Sequence, residues 1–114
     1  GEQIVSDGPE VWLPPQVALN MGLVLHELGT NARKYGALSI PEGRVHVSWY
    51  VHKPDGKPVL RLIWRESGGP PVRPPAVRGF GMALIERTIG DAVEGATNIR
   101  FEPEGLHCTI DVAI

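Results

Sequence analysis

The sequence predicts a two-layer α/β sandwich, a mixed and mostly antiparallel sheet with helices on one face. Three observations lead there. Residues 15–35 carry apolar side chains at helical spacing: Val17, Met21, Val24, Leu25 and Leu28. Residues 43–52 alternate, with Val45, Val47, Trp49 and Val51 opposed to His46, Ser48, Tyr50 and His52. The element order ββ-α-ββ-loop-α-ββ sets paired strands around two helices.

The chain opens with two short extended runs, Gln3 to Ser6 and Val11 to Leu13, around an Asp7-Gly8-Pro9 turn. They read as a small hairpin or as edge strands. Pro14-Pro15 starts a long helix, since proline is tolerated in a first turn. Gly36 after Tyr35 reads as its stop. Gly22 and Gly29 each weaken that helix by about 1 kcal/mol relative to alanine, so something packs closely or a ligand comes near. The 43–52 strand and a strand from Val59 to Glu66 flank a Lys53-Pro54-Asp55-Gly56-Lys57-Pro58 loop. Leu60, Leu62 and Trp64 take the core face of the second strand.

From Ser67 to Gly79 the texture changes: three glycines and four prolines rule out a helix or a central strand. A loop of this length in a compact domain is usually functional. Gly79-Phe80-Gly81 leads into a second helix, about Met82 to Ile89. Thr97 to Phe101 and Leu106 to Ile114 close the chain as two strands around a Glu102-Pro103-Glu104-Gly105 turn.

Composition narrows the function. With 114 residues the chain is one domain, large enough to bury roughly two-thirds of its unfolded surface. It is 42% hydrophobic and 21% charged, an ordinary globular balance. A net charge of −2, without long basic runs, argues against binding nucleic acid by bulk electrostatics, so any anion site is local. The single cysteine, Cys108, forms no intrachain disulfide and fits a reducing, cytoplasmic setting. Nothing in the sequence reads as a membrane span, and no membrane contact is expected.

Three constellations could carry chemistry. Glu27, Asn31 and Lys34 share one face of the long helix. An amide oxygen suits Mg²⁺, a carboxylate can polarise a hydroxyl, imidazole or water, and an ammonium offsets phosphate charge. On spacing alone, a solvated helix face is the simpler account. Glu66-Ser67-Gly68-Gly69 places a carboxylate at a strand end before two glycines, where it can accept from an exocyclic amine while backbone passes beneath a flat ring. A strand end followed by a turn explains it equally well. Gly79-Phe80-Gly81 before a helix aims backbone N–H groups at an anion. It is neither the dinucleotide fingerprint nor a Walker loop. His26-Glu27 lacks the second histidine of a zinc-protease motif, since position 30 is Thr30. His46, His52, His107 and Cys108 have no ligand spacing.

Taken in order, these segments resemble the ATP-binding catalytic domain of bacterial sensor histidine kinases, in the gyrase/chaperone/histidine-kinase/mismatch-repair ATPase superfamily. The similarity is closest to the HWE group, named for a histidine in the N-box and a Trp-x-Glu in the G1 box. Here these are His26, within His26-Glu27-Leu28-Gly29-Thr30-Asn31-Ala32-Arg33-Lys34-Tyr35-Gly36-Ala37-Leu38, and Trp64-Arg65-Glu66. The match runs from about Gly8 to Ile114.

The resemblance implies a Bergerat-type ATPase sandwich that binds Mg-ATP. By it, Asn31 coordinates Mg²⁺, Glu27 is the polarising or general-base carboxylate, and Lys34 contacts phosphate. Tyr35 and the N-box His26 lie at the nucleotide. Glu66 stands in for the aspartate that reads the adenine amine, and Gly68 and Gly69 let the base approach. Gly79, Phe80 and Gly81 meet the phosphates, Pro70 to Arg78 form the lid, and Arg78 offsets phosphate charge. Thr109 is the candidate adenine-side residue of the last strand. The reaction implied is γ-phosphoryl transfer to a histidine on a separate dimerisation domain, with a response regulator downstream. No paired-helix segment is present, so the chain reads as a catalytic fragment that cannot autophosphorylate alone. The alternatives are a serine-directed kinase of the same superfamily and a non-catalytic nucleotide-binding or interaction module.

Overall fold

A computed structural model describes residues 3–70 and 95–114. Strand β1 (Ile4–Asp7) is followed by helix α1 (Pro15–Lys34), a 3-10 turn (Ala37–Ser39), and strands β2 (Arg44–His52), β3 (Val59–Ser67), β4 (Gly95–Glu102) and β5 (Gly105–Ala113). The sheet runs β1-β2-β3-β5-β4. Among the described strands only β1 and β2 pair in parallel; the other pairings are antiparallel. The second predicted helix, about Met82 to Ile89, and most of the long loop lie outside the described residues.

The alternating patterns decide which face is buried. Val45 and Val47 of β2, Leu60, Leu62 and Trp64 of β3, and Leu106, Cys108, Ile110 and Val112 of β5 form one apolar face. Val17, Met21, Val24, Leu28 and Ala32 of α1 complete the core against it. Burying large aliphatic side chains here contributes about 1.5–3 kcal/mol each. Cys108 is fully buried within this core. The predicted core position Val51, near the end of β2, is 37% exposed.

One expectation needs correction. Among the described residues Val11 to Leu13 is not a strand and forms no hairpin, whereas β1 is an edge strand, as the other reading of the first run expected. Strand β1 reaches across to β2: the Val45 N–H donates to Gln3 O at 2.8 Å. Gln3 Nε2 donates to Ile40 O and Gly43 O at 2.8 and 3.1 Å. These bonds satisfy Gln3 far along the chain, and Val11 and Leu13 pack on the core. The helix does end at Lys34, with Tyr35 as its cap and Gly36 just beyond, as expected, but Gly36 is not left-handed, because its φ is −117°. The reason for glycine there lies in the site.

Candidate active site

The last turns of α1, the following 3-10 turn and the end of β3 converge. Glu66 belongs to the core face of β3, where alternation after Trp64 would otherwise put an apolar residue. It is only 2% exposed. Its Oε1 accepts the Ala37 N–H at 2.9 Å, and its Oε2 accepts the Trp64 indole Nε1–H at 2.9 Å. Burial raises the Glu66 pKa above the usual carboxylate range; the two hydrogen bonds act against that shift.

Glycines permit this convergence. A Cβ at Gly36 would collide with Glu66 Oε1 and approach Ala32 Cα at 3.3 Å. At Gly69 it would stand 2.6 Å from Ala37 Cα. Gly68 has a φ of +71°, and a Cβ there would meet Glu42 O at 2.8 Å. The Gly68-Gly69 pair is thus required by the chain's own backbone. The helix glycines differ: a Cβ at Gly22 meets nothing within 4 Å, and at Gly29 only Arg33 Nη1 at 3.5 Å.

The stripe on α1 lies beside this junction. Asn31 precedes Ala32 in the same turn, and its Nδ2 is buried without a hydrogen-bond partner among the described residues. Glu27 is half-buried one turn earlier, while His26, Lys34 and Tyr35 are exposed. Thr30 Oγ1 donates to the His26 carbonyl at 2.9 Å, so Thr30 is satisfied within the helix. Arg33 and Lys34 in the last turn also complement the helix dipole.

Asn20 lies two turns before Glu27 on the same flank and did not stand out in the sequence. It is 4% exposed and its Nδ2 has no partner, although Oδ1 lies 3.5 Å from Gln16 Nε2. Its spacing of seven from Glu27 was the available signal. Trp64 was read for the core and as part of the Trp64-Arg65-Glu66 motif but not for a contact with Glu66, and its separation of two from Glu66 on a strand was the signal for that contact.

The fold does not bring Thr109 into this group. Thr109 pairs with Ile63 and Asn98 on the sheet face turned away from α1. The sheet itself separates it from Glu66, which corrects its expected adenine-side placement. Pro70 is described at the end of the β3 bend, whereas Arg78, Gly79, Phe80 and Gly81 lie outside the described residues.

Among the described residues no group of three or more His, Cys, Asp or Glu side chains could hold a metal ion. Mg²⁺ takes oxygen ligands and habitually keeps phosphate oxygens and waters among them, so an acidic cluster is not a requirement for an ion at Asn31. The donor set fits: an amide oxygen for the ion and an unspent amide N–H for a phosphate oxygen. An apolar cavity of about 320 Å³, lined by Val11, Leu13, Met21, Leu25, Trp49 and Leu62 among others, lies away from these groups. Among the described residues, Glu10 is the one ionisable residue in its lining.

This arrangement defines an α/β domain whose polar helix flank adjoins a buried strand-end carboxylate. No protein-family model matches the chain. It is 40% identical over 112 residues to the blue-light-activated histidine kinase of Brucella anthropi, covering 98% of this chain and 22% of that protein. It is 39% identical over 116 residues to blue-light-activated histidine kinase 1 of Erythrobacter litoralis, covering 99% of this chain and 31% of that one. The chain thus spans under a third of the length of these relatives. Its fold is similar to the histidine kinase domain of the Erythrobacter litoralis EL346 blue-light activated histidine kinase. There the TM-score is 0.78 at 19% identity, over 97% of this chain and 51% of that one. The catalytic domain of histidine kinase ThkA gives a TM-score of 0.69 at 14% identity, over 97% of this chain and 78% of that one. Over nearly its whole length the chain is thus similar to blue-light-activated histidine kinases, and its fold is that of the histidine kinase domains among its structural neighbours.

Proposed function

We propose that this domain binds Mg-ATP along the α1 flank and presents the γ-phosphoryl group to a histidine on a separate helical domain of the same kinase. The observation that carries the reading is the Nδ2 atom of half-buried Asn31, one turn from Glu27, which is out of solvent and has no hydrogen-bond partner among the described residues. Buried polar atoms are normally paired, and an unspent one at a site calls for a ligand. Asn31 would hold the ion, which when bound neutralises phosphate charge. Lys34 adds a mobile cation at the exposed end. Glu27 accepts a proton from, or polarises, the acceptor imidazole. Glu66 accepts from the adenine amine through the lone pairs left after Ala37 and Trp64. Phosphoryl transfer requires mainly such positioning and charge neutralisation. A response regulator then receives the signal, in a cytoplasmic setting.

The test supplies the chain with labelled ATP, Mg²⁺ and a separately produced histidine-bearing dimerisation domain from its own kinase. Acid-labile, base-stable label on that domain, lost with Glu27→Gln, supports histidine transfer. Acid-stable label contradicts it in favour of a hydroxyl-directed kinase, and absence of any transfer contradicts the kinase reading.

A further inference from the structure

We infer that Trp64 is a positioning residue for base selection: its indole N–H holds Glu66 as a fixed, acceptor-only edge for a base bearing an exocyclic amine. The inference rests on the proposed nucleotide-binding role of Glu66.

Trp64 and Glu66 are two apart on β3 and therefore share a face. Trp64 is 4% exposed, and its ring packs in the core. Packing alone would be served by any large apolar side chain. Its single polar atom is spent on Glu66 Oε2 at 2.9 Å, while Ala37 N–H takes Oε1 at 2.9 Å. One donor comes from the strand and one from the turn after α1. Each oxygen is tied to a different element, so the carboxylate plane cannot turn.

The chemistry of those two bonds matters as much as their geometry. An ionised carboxylate has about four acceptor positions and no donor. With two filled, those that remain match an N–H and reject an unprotonated ring nitrogen. A protonated acid would accept and donate, and would discriminate less. Donors on both oxygens favour the charged form at a buried position that would otherwise resist it. Trp64 thus acts on specificity through Glu66, without needing to touch the base.

The other two indoles are committed elsewhere. Trp49 Nε1–H donates to Pro9 O at 2.7 Å, and Trp12 is 88% exposed. The Trp64 indole signal is therefore separable by nuclear magnetic resonance.

The experiment measures binding of ATP, of purine riboside triphosphate (which lacks the amine) and of inorganic tripolyphosphate to the 114-residue chain with Mg²⁺. The native chain should prefer ATP over the amine-free analogue by at least about tenfold, a difference of about 1.4 kcal/mol. Trp64→Phe keeps an aromatic ring and removes the donor. It should reduce that preference at least fivefold while leaving tripolyphosphate affinity within twofold. In the native chain, ATP should shift the Trp64 indole signal and tripolyphosphate should not, a readout that needs no variant to fold. Failure of the native chain to bind either ATP or tripolyphosphate overturns the nucleotide-site reading itself. Native ATP preference that persists in Trp64→Phe, or an indole signal that responds equally to both ligands, overturns the inference alone and leaves Trp64 a core residue.

Discussion

Glu66 Oε1 accepts the Ala37 N–H at 2.9 Å and so ties the end of β3 to the turn after α1. Twenty-nine residues separate the two in sequence. The bond fixes where the helix's last turn, with Asn31 in it, stands against the sheet.

Replacing Glu66 by glutamine should destabilise the domain by about 1–3 kcal/mol at pH 7, measured by urea denaturation. Two donors converge on Glu66, and glutamine offers one acceptor oxygen; its amide would point a third donor at the other N–H. The native group also leaves a pH signature. Its folded pKa is raised, so between the unfolded value of about 4.3 and the higher folded value only the folded chain keeps the proton. Stability from this group is full below that window and declines as pH rises through it. Glu66→Gln should remove that decline.

Asp111 titrates in the opposite sense. Arg61 Nε and Nη2 donate to its two oxygens at 2.7 and 2.8 Å, across registered positions of β3 and β5. The guanidinium holds the Asp111 pKa below the usual carboxylate range. Its stabilisation is present above the unfolded value of about 3.9 and is lost as pH falls through the folded one. The side chains are 36% and 28% exposed, so Asp111→Asn should cost only about 0.5–1 kcal/mol at neutral pH. It should also flatten the acid limb of the stability curve.

Two glycine substitutions should move stability in opposite directions. Gly36→Ala drives a Cβ into Glu66 Oε1 and should cost about 2 kcal/mol or more by displacing the carboxylate from Ala37. Gly22→Ala enters open space on α1 and should stabilise by about 1 kcal/mol. Thermal melts of the two variants against the native chain check both signs.

Much of this was legible in the sequence, and the failures have physical causes. Alternation located β2 and β3 because each has one dry face, and helical spacing located α1 because its stripe is continuous. The parallel β1–β2 pairing was not legible, since a partner forty residues away leaves no local turn signal. Gly36 resembled a helix stop, yet what it permits is a contact with Glu66, which is distant in sequence. Gly68 and Gly69 were read for a ligand, while the backbone of the chain already demands them. Thr109 was misplaced although Cys108, Ile110 and Val112 alternate around it and point it to the other face. The Glu27-Asn31-Lys34 flank was legible as spacing. That one Asn31 atom is buried and, among the described residues, partnerless was not, because burial depends on what packs around the helix.

The most direct measurement is equilibrium binding of Mg-ATP to the native chain and to Asn31→Ala. The Asn31 Nδ2 makes no hydrogen bond among the described residues, so truncation should change stability by less than about 1 kcal/mol. Binding should weaken at least about tenfold with Mg²⁺ and much less without it. Native binding that Asn31→Ala leaves unchanged, or a native chain that binds no Mg-ATP, would contradict the assignment of this flank.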